Sequence, residues 1–191
     1  MSTHDNAPKG PGGIPLRVES GHDRAAAADR SLAAALADLP ALMASAPHRL
    51  MFFAGASAVM VTMAWWACWL AANHFGHEFP IAPVPPGWAH AIFTQYAMLP
   101  LFMFGFLLTV FPRWMGQPPL GRRHYVPVFA GVFGGYLVAH VGLLGSKALL
   151  LVGMGLMLAG WLVGLVALGG VLVRNGARDR HALSCYVALV L

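Results

Sequence analysis

The sequence predicts an all-α fold: a polytopic transmembrane helix bundle with four complete spans, a truncated fifth and a disordered N-terminal tail. Three observations carry that expectation. First, 58% of the 191 residues are hydrophobic and only 10% are charged, with a mean hydropathy of +0.65; a soluble domain of this length is far less apolar. Second, the apolar residues gather into runs of about twenty, the length that crosses a hydrocarbon core of about 30 Å. Third, eleven of the twelve Lys and Arg residues fall in the tail or in alternate loops, and only Lys147 falls on the other side. A pI near 9.8 would otherwise suggest nucleic acid. Placed in loops, these charges report orientation, and by the positive-inside rule the N-terminus is cytoplasmic.

The chain opens with a tail, residues 1–47. Met1 to His22 is rich in Gly, Pro and polar residues and has no apolar signal-peptide core, so it reads as disordered and uncleaved. From Asp23 to Leu39 alanine dominates, with Leu32, Leu36 and Leu39 at helical spacing, Asp23 as N-cap and Pro40 as the stop. Two readings stand: a short helix against the membrane or the bundle, or a partly ordered linker.

The bundle occupies 48–191. Its first span, about 50–72, follows His48-Arg49 and ends in Trp65, Trp66 and Trp69, an interfacial aromatic belt. A loop with His74, His77, Glu78 and four prolines leads to the second span, about 89–111. The third, about 125–144, follows Arg122-Arg123-His124. Only Gly145-Ser146-Lys147 separates it from the fourth, about 148–173, which demands an antiparallel helical hairpin. Beyond Arg174, Arg178 and Arg180, residues 182–191 are ten apolar residues, too few to cross a bilayer. That half-span marks the sequence as part of a longer chain.

Gly131 with Gly135 and Gly160 with Gly164 form small-x-x-x-small pairs that let helices approach closely. Cys68 and Cys185 have no metal-type spacing and read as small buried residues.

Candidate chemistry concentrates in span two. His90 stands at its mouth, Thr94, Gln95 and Tyr96 follow one turn in, and Pro100 frees the carbonyl of Tyr96 and should kink the helix beside them. Polar groups at this depth are costly unless they face other helices, a cofactor or water. Of the nine histidines, His140 on the antiparallel third span lies about 7 Å from its end at 1.5 Å per residue, in the same layer as His90. Two imidazoles on facing helices are how bundles hold haem or a transition metal, copper included. They equally serve as hydrogen-bonding groups between helices. His74, His77 and Glu78 form a second possible cluster, H-x-x-H-E, though an exposed loop with two histidines is usually only that.

Motifs then add a resemblance. Trp88-Ala89-His90-Ala91, Gly105-Phe106-Leu107-Leu108-Thr109, Pro112-Arg113-Trp114-Met115-Gly116 and Pro118-Pro119-Leu120, with Pro47-His48-Arg49 and Phe52-Phe53 upstream, are similar to the NnrS family of bacterial membrane proteins. The likeness covers roughly residues 47–191. Members open the second helix with a W-H-A-H-E-M-like motif and close it with G-F-L-L-T-x-x-P-N-W-T-G-x-P-P-L. The resemblance implies about a dozen spans in the whole protein, haem and copper as cofactors, a bacterial inner membrane, and a role in nitric oxide metabolism or protection against nitrosative stress. It carries His90 over as a metal ligand. Ile92 and Phe93 occupy the places of the motif's second histidine and glutamate, and Arg113 that of its asparagine; His140 has no matching family position.

Three functions therefore stand side by side. One is a haem- or copper-binding protein with His90 and His140 as ligands and Thr94, Gln95 and Tyr96 around them; its partners would be the lipid bilayer and nitric oxide or another small gas. Another is a permease unit for a small neutral solute, with Pro100 and the polar patch lining its path. The last is a structural subunit without cofactor. Spans one to four hold no Asp, Glu, Lys or Arg at depth, which weighs against proton- or cation-coupled transport. No nucleophile triad, phosphate loop or dinucleotide fingerprint is present, so any catalysis belongs to a bound metal.

Overall fold

The computed structural model describes residues 21–79 and 83–190, with side chains from residue 31 onward. Disorder in the tail before Gly21 is an expectation that lies outside the described residues. The described residues hold six helices and no strand: α1 (Gly21–Met43), α2 (Pro47–Phe75), α3 (Pro86–Trp114), α4 (Arg122–Gly142), α5 (Lys147–Arg174) and α6 (Arg180–Val190). The chain divides into two units at Leu39 and Pro40.

In α1 the helix does not stop at Pro40 or begin at Asp23. It starts by Gly21 and carries Pro40 inside it, because a proline removes only one donor and clashes with one carbonyl. The turn recovers at once: the Ala44 N–H donates to the Pro40 carbonyl at 3.0 Å.

Helices α2 to α5 are each long and apolar enough to cross a membrane; α2, α3 and α4 start three residues before the expected point and α5 one. The apolar runs mark the hydrocarbon core, whereas the helices continue to their caps. Pro47 and Pro86 sit in first turns, where a missing N–H costs nothing. Gly76 closes α2 in the left-handed region (φ 68°), its N–H on the Ala72 carbonyl. The Ser146 side chain caps α5 by accepting from the Leu149 N–H. Large apolar side chains stay exposed along all four helices, among them Met60, Phe106, Leu158 and Val166. Water does not tolerate so much contiguous apolar surface. The chain is a multi-pass membrane protein.

Two of these helices contain a π turn, Thr94–Met98 in α3 and Ala130–Gly134 in α4. The first lies just before Pro100, and there the Leu99 N–H reaches back five residues to the Thr94 carbonyl.

The α4–α5 hairpin packs most closely of all. A Cβ on Gly131 would run into the Gly160 backbone, and one on Gly135 would lie 2.6 Å from the Gly153 carbonyl. Gly160 thus plays its expected part, but Gly164 faces the Phe104 ring of α3 instead of α4. Cys68 is exposed and Cys185 half-buried, contrary to the buried positions expected, because an apolar residue facing lipid gains nothing from burial in protein.

At the arginine-rich end the α3–α4 loop clamps α5. Gln117 donates from Nε2 to the Val171 carbonyl (2.8 Å) and accepts from Arg174 Nε at Oε1 (3.1 Å). Gln117→Glu keeps the arginine contact but strips the carbonyl of its donor, and Gln117→Ala loses both. We expect thermal unfolding in detergent to rank them wild type, Glu, then Ala, with about 1 kcal/mol for the full loss.

Candidate functional site

One set of aromatic side chains gathers at the end of the bundle away from the arginines. His90 is four residues past the first residue of α3 and His140 two residues before the last of α4, so at 1.5 Å per residue the two stand within about 6 Å of their helix ends. They share one layer, between the tryptophans of α2 and the body of the bundle.

Each imidazole has its own aromatic partners. His90 stacks on Trp66 with ring centroids 4.7 Å apart at 25°. His140 stacks on Phe93 (4.4 Å, 23°), meets Tyr136 at 4.4 Å and faces the edge of Trp65 at 6.3 Å. Trp65 and Trp66 lie 6.2 Å apart, and Trp66 stacks in turn on Trp69 at 4.9 Å. One aromatic cluster therefore encloses both histidines. Phe93, which stands where the family motif has a glutamate, is the ring that covers His140.

A buried hydroxyl pair fixes the floor. Tyr136, one turn before His140, is fully buried and donates to the Ala58 carbonyl at 2.9 Å. A phenol has one proton to give. Thr62, the buried polar side chain of α2, then donates to the Tyr136 oxygen across 2.9 Å. This tie joins α2 to α4 directly below His140.

The imidazoles, by contrast, lack partners. His90 Nδ1 and both ring nitrogens of His140 are buried without a hydrogen bond. A buried nitrogen left unpaired costs about 1–3 kcal/mol, and native structures keep few of them. A neutral imidazole has one lone-pair nitrogen, and one that makes no hydrogen bond among aromatic rings is of the kind that could hold a haem iron. The two imidazoles do not complete a site for a bare ion: no group of three His, Cys, Asp or Glu occurs among the described residues.

The other candidates lie elsewhere. Thr94 turns its hydroxyl back onto the His90 carbonyl of its own helix at 2.8 Å, which steadies the turn carrying His90. Gln95 is exposed, and Tyr96, 61% exposed, lines a different cavity with Ile92 and α5. His74, His77 and Glu78 are exposed at the end of α2. Trp65, Trp66, Phe93 and Tyr136 were not among the candidate residues read from the sequence; the tryptophans were visible there only as an interfacial belt.

Comparison with known proteins agrees with the motifs. No curated protein and no solved structure matches the chain. The family model described as "NnrS protein" matches residues 42–191, which takes in all four long helices and both histidines. The chain belongs to the NnrS family.

Proposed function

We propose that this chain is a haem-binding part of a bacterial inner-membrane protein, with its N-terminus in the cytoplasm, that acts in nitric oxide metabolism or in protection against nitrosative stress. The observation that carries the proposal is the set of three buried, unpartnered imidazole nitrogens on two facing helices. His90, held by its stack on Trp66, would hold the haem iron, and His140 is the second imidazole that could do so. When bound, haem would supply one-electron chemistry, and reversible binding of a diatomic gas where only one of the two imidazoles holds the iron. The protein's own part is to orient the imidazoles, through Trp66, Phe93 and Tyr136, and to keep water from the chamber. An apolar gas reaches such a site through the lipid. Copper, the other metal the resemblance implies, suits neutral imidazole but would draw its remaining ligands from outside this pair.

Visible spectra of the protein purified in detergent, oxidised and dithionite-reduced, test the reading. We expect a Soret band with reducible α and β bands, lost or shifted in His90→Ala and perturbed in His140→Ala. A colourless, metal-free protein from cells well supplied with haem and copper would sink it. A second readout needs no metal: since these nitrogens make no hydrogen bond, His140→Leu should cost the metal-free protein little thermal stability. A large loss would show an imidazole kept for the fold.

A further inference from the structure

We infer that the cavity on the far face of α3 is a binding site for a lipid-soluble ring compound with hydrogen-bonding oxygens and an apolar tail, of the isoprenoid quinone class. The cavity is a half-open cleft of about 650 Å³ between α3, α5 and α6, lined by Ile92, Tyr96, Met157, Leu158 and Trp161 and, from α6, by Leu189 among others. Sites for small organic ligands run from about 300 to 1,000 Å³ and pair an apolar wall with a few polar points. It is distinct from the histidine layer: Ile92 and Tyr96, one turn apart, face it, whereas His90 and Phe93 face α2 and α4.

Depth selects the ligand. Tyr96 lies seven residues past residue 89, where the apolar run of α3 begins, which at 1.5 Å per residue is about 10 Å into a core of about 30 Å. A phospholipid keeps its headgroup at the surface. A neutral quinone ring enters the hydrocarbon. One donor waits for its oxygens there: the Tyr96 hydroxyl makes no hydrogen bond among the described residues. Trp161, its indole N–H committed to the Leu189 carbonyl at 3.2 Å, offers a ring to stack upon. Gly155 lies in the wall, and a Cβ built there meets nothing within 4 Å.

The test is tryptophan fluorescence of the protein in phosphatidylcholine nanodiscs, titrated with a decyl-tailed benzoquinone, which quenches indole on contact. We expect saturable quenching that Trp161→Phe largely removes. Gly155→Phe, whose Cβ meets nothing within 4 Å and whose ring would occupy the cavity, should abolish it while leaving the thermal midpoint in place. Tyr96→Phe should weaken it about three- to tenfold, the worth of one hydrogen bond. Non-saturable quenching, or binding indifferent to Gly155→Phe, would overturn the site. Equal competition by decylbenzene, which has the tail and no ring oxygen, would make it a groove for lipid chains, and indifference to Tyr96→Phe would remove the assigned head contact. Haem-free protein serves as well as loaded protein, so failure here is separable from failure of the histidine site.

Discussion

Gly153→Leu is expected to separate α4 from α5 and leave little protein that survives detergent extraction as a folded monomer. A Cβ at this position would lie 2.6 Å from the Gly135 carbonyl and would also run into the backbone of Ala139. Overpacking a core usually costs about 1–3 kcal/mol because side chains can shift aside. Here the obstacle is the main chain of the opposite helix, so the whole interface must open, and we expect a loss above that range. Gly155→Leu is the matched control: it adds the same side chain two residues on, where nothing lies within 4 Å. Thermal unfolding and gel filtration of the two variants check the result. Equal midpoints would mean that the hairpin does not pack as the structure has it.

The contrast between those two glycines shows what a sequence can and cannot disclose. Apolar length gave the four spans, and the three-residue link at Gly145–Lys147 gave the hairpin, because both depend on distance along the chain alone. Gly131 and Gly160 were legible as small residues at helical spacing. Gly153 was not, since its role depends on which way α5 faces, and an almost uniformly apolar helix carries no signal of facing. The candidate site divides in the same manner. That His90 and His140 share a layer follows from counting residues along antiparallel helices. That Gln95 and Tyr96 turn away from His90 follows from counting too, since five and six residues at about 100° each put them about 140° and 120° round the helix. Being near His90 in sequence did not give them its face, and only the π turn at Thr94–Met98 carried no signal. Trp65 and Trp66 fit the pattern of an interfacial belt equally well whether or not they line a chamber, so the sequence had no means of choosing.

Tyr136→Ala is the second large effect, and its parts can be separated. Removing a buried aromatic side chain costs about 3–5 kcal/mol through lost contact and the cavity left behind, and Tyr136 is fully buried against Phe93, Phe133 and His140. Tyr136→Phe keeps the ring and removes only the hydroxyl that joins Thr62 and Ala58. Hydrogen bonds between membrane helices are worth about 0.6 kcal/mol on average and up to about 1.7, and Thr62 can turn its freed proton onto the Ala58 carbonyl one turn back. The phenylalanine variant should therefore lose about 1 kcal/mol, with Thr62→Val costing less in that background than in the parent. Spectroscopy adds the decisive comparison. If His140 is a ligand, Tyr136→Phe leaves the ring against it intact and the haem spectrum close to the parent's, whereas Tyr136→Ala frees the imidazole to rotate and shifts the Soret band even in the protein that remains folded. Matching spectra for folded Tyr136→Ala and the parent would leave His140 without a role at the metal and His90 as the single imidazole ligand of this chain.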